Sequence, residues 1–223
     1  LKDSGKMLHS FTQQETDSLK ELMLCRQPDW EVLFRLYHDQ KLNPMSFLKS
    51  EAFLNILTEC CLKDYPYTPF ADTFHTMRSM LLPVLYLMGS EVPKADVYHA
   101  ICTGYGGLLA SLAGYVYKKK ILLTEHGIYT REREEEIIRA KWVQPVFKKQ
   151  WISFFYMLSD IIYTRAFRVS CLFSNAMLAQ IQMGCDEEKC CVIENGINYE
   201  RLSGIPLKEE DGWVDIGAIV RLA

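Results

Sequence analysis

Apolar positions change their spacing near residue 93, and two kinds of architecture follow from that change. Over residues 1–92 they recur every three or four residues, as helices require. Asp29, behind Pro28, is placed to cap a helix over 30–37 whose Val32, Leu33, Leu36 and Tyr37 share a face. Ser46 is placed to cap a second helix, with Phe47, Leu48, Phe53, Leu54, Ile56 and Leu57 on a broad apolar face. A third is predicted over 70–88, kinked at Pro83, with Met77, Met80 and Met88 as core packing. From Asp96 the pattern alternates. Short β-prone runs at 96–102, 120–124, 168–173 and 190–194 are separated by helical stretches at 108–117, 130–166 and 175–183. The long stretch divides near Pro145, and Gly184 closes the last. Strands alternating with helices predict an α/β fold with a parallel, doubly wound sheet. Residues 197–211 read as a linker, and 213–220 begin a new strand.

Composition narrows the class without naming it. The chain has 223 residues, 49% apolar and 24% charged, which excludes a disordered or collagen-like chain and allows a sizeable core. With 25 Lys+Arg against 28 Asp+Glu, the net charge of −3 lacks the basic footprint of a sequence-independent nucleic-acid binder. The eight cysteines form no C-x-x-C pair and no zinc-like spacing, so no metal site is expected. Cys60-Cys61 and Cys190-Cys191 sit in apolar runs, as free buried thiols in a reducing cytosol would. The longest apolar stretches, 80–88 and 151–163, fall short of the roughly 20 residues that span a bilayer. A cytoplasmic chain, at most peripheral at the inner face of a membrane, is expected.

In open α/β sheets, ligands bind beyond the carboxyl ends of the strands. Three polar groups are predicted there. The first is Thr103, Gly104, Tyr105 and Gly106, where glycine allows close backbone approach and a helix start favours a phosphate. Leu109 stands where a dinucleotide-binding fingerprint has its third glycine, yet Glu125 follows about 20 residues on, where such domains hold a ribose. An NAD-binding domain is therefore one alternative, and a plain tight turn explains the glycines as well. The second group is Glu125, His126, Gly127, Arg131 and Arg133, with Thr130 placed to cap the next helix. Arginines at a helix start are unfavourable unless something negative faces them: an anionic ligand, or acids such as Glu135, four residues after Arg131 and before Arg139. The third is Asn195-Gly196, which by itself is an ordinary turn signal.

Several blocks resemble the family-4 GT-B glycosyltransferases: DVYHA at 96–100, TGYGGLL at 103–109, LTEHGIYTRER at 123–133 and VIENGIN at 192–198. FADTFHTMRSM at 70–80, PKAD at 93–96 and WISFFY at 151–156 are most similar to the branch that assembles the Pel exopolysaccharide, the PelF type. The resemblance implies two Rossmann-like domains across a cleft, one for the acceptor and one for a UDP-sugar such as UDP-glucose. It implies retaining transfer of a hexosyl group to a growing polysaccharide, with no metal and no cofactor besides the donor substrate. His126 would be the catalytic-site histidine, contacting a sugar hydroxyl or phosphate and oriented by Glu125. Thr103, Gly104, Tyr105, Gly127, Arg131, Arg133 and Asn195 would line the substrate site, and Arg221 would meet the donor phosphate. Many relatives carry a second histidine at the position of Ile101, so His99 is expected to be structural. The implied partners are the nucleotide-sugar, the acceptor and a membrane polysaccharide-synthesis complex, for which a non-catalytic scaffold module is the alternative role. The boundaries implied are a helical region over 1–92, a Rossmann-like acceptor-side domain over 93–200, a linker over 201–212 and the first strand of the donor domain over 213–223. By this expectation the chain is an incomplete segment that is inactive alone.

Overall fold

A computed structural model describes residues 10–206, 209, 211–214, 216 and 217. Its first part is helical: α1 (Gln13–Met23), α2 (Trp30–Phe34), α3 (Pro44–Leu48), α4 (Glu51–Asp64) and α5 (Phe70–Met88). Local chemistry sets the starts. Thr12 and Glu15 form a capping box on α1, while Asp29, Asn43 and Ser50 accept from the first-turn N–H groups of α2, α3 and α4. The expected cap at Ser46 is thus replaced by two: Ser46 lies inside α3, and Ser50 opens a separate α4. A π-helical turn, Arg35–Asp39, completes the stretch predicted as one helix over 30–37. Pro83 lies inside α5, which runs through it over 19 residues.

The second part alternates as predicted: β1 (Val97–Ala100), α6 (Gly104–Tyr117), β2 (Lys120–Glu125), α7 (Tyr129–Arg139), α8 (Lys148–Arg165), β3 (Arg168–Cys171), α9 (Ser174–Gln182) and β4 (Cys190–Val192). A 3₁₀ turn over Pro145–Phe147 divides α7 from α8. The four strands pair in parallel and lie side by side in chain order. Parallel strands require crossovers, and the intervening helices supply them. The parallel sheet with its surrounding helices is the Rossmann-like α/β arrangement expected. The linker region carries a short helix, α10 (Tyr199–Ser203). Of the last predicted strand, Trp213, Val214, Ile216 and Gly217 form no strand, and the remainder, with Arg221, lies outside the described residues.

Ala100, Ile121, Leu123 and Val169 bury against Ile162, Tyr163 and Ala166 of α8 and its end, making a small core under the sheet. A larger core joins α1–α5 to α6, α7 and α8, so the helical and α/β regions share one interior. α6 is apolar nearly all round because it lies between the two, as such a helix must. Gly107 lets it approach α8: a Cβ there would stand 2.8 Å from the Ile162 side chain. The other sheet face carries Val97, His99, Leu122, Thr124, Ser170 and Cys191 in register, and both Val97 and His99 are exposed.

Candidate functional site at the strand ends

The carboxyl ends of the strands meet the starts of α6, α7 and α9, and these three starts differ from those of α1–α4. Their N-cap residues, Thr103, Ile128 and Phe173, make no side-chain capping bond. α5 and α8 are also uncapped, but α5 follows Pro69 and α8 runs on from the 3₁₀ turn. No acid occupies the first turn of α6 or α9. First-turn N–H groups of an α-helix have no intrahelical acceptor and carry partial positive charge. The starts of α6 and α9 thus present donor sets suited to an anion, whereas α7 carries Glu132 in its first turn and its Tyr129 N–H bonds Glu125.

Gly104 adopts φ +67°, and a Cβ there would lie 2.5 Å from the Tyr129 ring. Tyr129 accordingly closes over the start of α6, with its ring edge-on to Phe155 at 6.0 Å. The Arg133 guanidinium lies 5.3 Å from the Tyr129 centroid and pairs with Glu136 at 2.6 Å. Arg131 reaches α9 instead of Glu135, donating to Gln182 Oε1 at 3.4 Å, while Arg139 pairs with Glu135 at 3.4 Å. Each arginine thus has a partner within the chain, although the Arg133 Nε is buried without one among the described residues. Glu132 folds over Gly127, where a Cβ would run into its Oε1.

Thr103 turns away from the rim. Its hydroxyl accepts from Ser159 at 2.9 Å, and Ser159 also contacts Thr130 at 2.6 Å, a chain of three fully or nearly fully buried hydroxyls. Thr130, predicted as a cap, is thus an interior tie within α7. Ser159→Ala would strand two buried hydroxyls, and a loss of about 1–3 kcal/mol in urea unfolding is expected. Tyr105 also packs inward, 6.2 Å from Phe154, and burial pushes its phenol up to about 12. The inward turn of both side chains leaves the backbone of Thr103 and Tyr105 at the rim.

Glu125 and His126 part company at the end of β2. Glu125 is 1% exposed and sits under the sheet, where its Oε2 accepts from Tyr163 at 2.7 Å and from Gln180 at 2.9 Å. Its Oε1 and Gln180 Oε1 are buried without a hydrogen-bond partner. The structure therefore does not bring Glu125 to His126, nor to any ribose above the rim, which removes the residue that suggested NAD. Burial raises the Glu125 pKa above 4.5, and the Tyr163, Gln180 and Tyr129 donors offset this only in part. A carboxyl raised on folding adds stability that is complete below about pH 4.5 and lost as pH rises through the folded value. Urea midpoints of Glu125→Gln are expected to lack that decline. An identical decline in the variant would reassign it.

His126 is exposed at the rim and makes no hydrogen bond among the described residues. Asn195 and Gly196, beyond β4, are exposed as well. His99 has a structural partner, as expected: its Nε2 lies 2.8 Å from Thr124 Oγ1, which lies 2.7 Å from Ser170 Oγ. This ladder was missed in the sequence, although alternate polar residues in three strands mark it. Tyr163 and Gln180 were missed too. Gln180, fully buried between Ala179 and Ile181, carried the only visible signal, a polar residue on an apolar face.

All eight cysteines are free, with Cys185 and Cys190 sulfurs 3.4 Å apart. Among the described residues no group of three or more His, Cys, Asp or Glu side chains is placed to hold a metal ion. Among the same residues, no helix is long and apolar enough to cross a membrane. No curated protein matches the chain, and neither does any solved structure. The profile of one family matches residues 2–188, most of the length. The chain belongs to that family, described as a domain of unknown function (DUF3492) and known from glycosyltransferase-like proteins.

Proposed function

We propose that the strand-end rim is one wall of a glycosyl-transfer site, in a retaining hexosyltransferase that moves a sugar from a UDP-sugar to a growing exopolysaccharide of the Pel type. One observation carries the reading: three helix starts without side-chain caps meet at the rim that exposes His126, which makes no hydrogen bond among the described residues. In such a reaction positive charge develops at the anomeric carbon and negative charge on the departing diphosphate. Backbone N–H groups fixed at the rim would stabilise that negative charge without reorganising. His126 would bond a sugar hydroxyl or a phosphate oxygen, and Asn195, beyond β4, would supply an amide. Membership in a domain known from glycosyltransferase-like proteins supports the same chemistry. A cytoplasmic setting, at the inner face of a membrane, fits the donor.

A second reading, a non-catalytic module in a membrane polysaccharide complex, is favoured by the exposed sheet face at Val97 and His99. Calorimetry with UDP-glucose on the full-length protein separates the two. Saturable heat, weakened by uridine diphosphate competition, is the expected result. Absence of heat, with capture by a membrane partner intact, supports the module instead.

A further inference from the structure

Two segments that the strand-end rim leaves unused, 70–80 and 151–156, meet across a cavity of about 220 Å³ on the helical layer. Asp72, His75 and Thr76 of α5 form one side, and Trp142, Gln144 and Trp151 form the other. Trp142 is 67% exposed and is held edge-on to Trp151 at 5.8 Å. Trp151 is itself fixed, stacked on Phe155 at 6.1 Å and edge-on to Phe154 at 5.8 Å. The exposed indole therefore stands against a fixed neighbour with much of its surface open to solvent. Around it the side chains of Asp72, His75, Thr76 and Gln144 make no hydrogen bond among the described residues. On its far side Trp142 also lines a second cavity, of about 530 Å³, with Arg133, Glu136 and Arg139 of α7. α7 begins at the rim, three residues after His126, spans about 16 Å at 1.5 Å per residue, and ends at Arg139, three residues before Trp142.

We infer that the Trp142 cavity is a carbohydrate subsite that holds a sugar ring of an uncharged glycan. An aromatic face carries negative charge density and attracts the polarised C–H face of a pyranose, while a few convergent polar groups fix its hydroxyls. The volume lies below the roughly 300–1,000 Å³ of sites for larger ligands, so it takes one small ring. Asp72 disfavours a uronate there. The α7 cavity continues the surface from this ring toward the rim. Identifying the glycan as the acceptor chain rests on the proposed function; the subsite itself does not.

The test titrates the full-length protein with maltohexaose, cellohexaose and chitohexaose, and separately with UDP-glucose. Wild type is expected to bind at least one hexasaccharide, Trp142→Ala to bind it at least tenfold more weakly, and Trp142→Phe to stay within about threefold. UDP-glucose affinity and the unfolding midpoint should not move in either variant. Failure of all three hexasaccharides overturns the subsite, and so does equal binding by Trp142→Ala. A Trp142-dependent complex with a protein in place of any hexasaccharide overturns it as well. Hexasaccharide binding without UDP-glucose binding keeps the subsite and removes the glycosyltransferase reading.

Discussion

Replacing His126 by alanine in the full-length protein is expected to lower sugar transfer by about 100-fold or more and to leave the unfolding midpoint unchanged. The stability half follows from the residue's position: its ring is exposed and makes no hydrogen bond among the described residues, and such surface changes shift stability within about ±0.5 kcal/mol. The activity half follows from its place among three helix starts, where a donor or acceptor aimed at a reacting group contributes about 10²–10⁴-fold. The matched controls are Arg131→Ala and Arg133→Ala. Both arginines have partners within the chain, Gln182 and Glu136, so each should cost transfer less than His126 does. Turnover at the wild-type rate in His126→Ala would remove this residue from the site.

Gly104→Ala is expected to produce the largest stability loss of the variants proposed, about 2–5 kcal/mol by chemical denaturation. Two costs add. A residue with a Cβ in the left-handed region loses about 1–2 kcal/mol, and overpacking against the Tyr129 ring adds about 1–3 kcal/mol. Because Tyr129 is the first residue of α7, relieving the clash moves either its ring or the helix start that stands beside His126. Transfer should therefore fall with stability. Pairing Gly104→Ala with Tyr129→Ala separates the contributions: the clash is relieved and the backbone strain remains. Gly104→Ala as stable as wild type would mean that the start of α6 does not need its left-handed turn.

The α/β class, the parallel strands and the placement of polar groups at strand ends were legible because helices and parallel strands differ in period and because connections leave the sheet at fixed ends. Turn chemistry was readable wherever a short polar residue had one role. Asp29 capped as predicted, whereas Ser46 lost to Asn43 and Ser50, two equally plausible caps a few residues away. What period cannot convey is which way a polar side chain at a strand end turns. Glu125 and His126 are neighbours in the chain, and the pleat sends one under the sheet and leaves the other at the rim. Thr103 and Thr130 likewise looked like rim or cap residues, and Ser159 on α8 drew both inward. Strand order was also hidden, since alternation predicts parallel strands but not the sequence in which they lie side by side. The Trp142 cavity was invisible for a related reason, because its two walls are some 70 residues apart in sequence.

The central claim is that the rim serves glycosyl transfer from a UDP-sugar. It is met most directly by following the anomeric proton signals of UDP-glucose, UDP-galactose and UDP-N-acetylglucosamine with the full-length protein and a membrane fraction supplying acceptor. Consumption of one donor is expected, with release of UDP and a new glycosidic signal of the donor's own anomeric configuration. All three donors persisting unchanged would contradict the claim, and a product of inverted configuration would contradict its retaining chemistry.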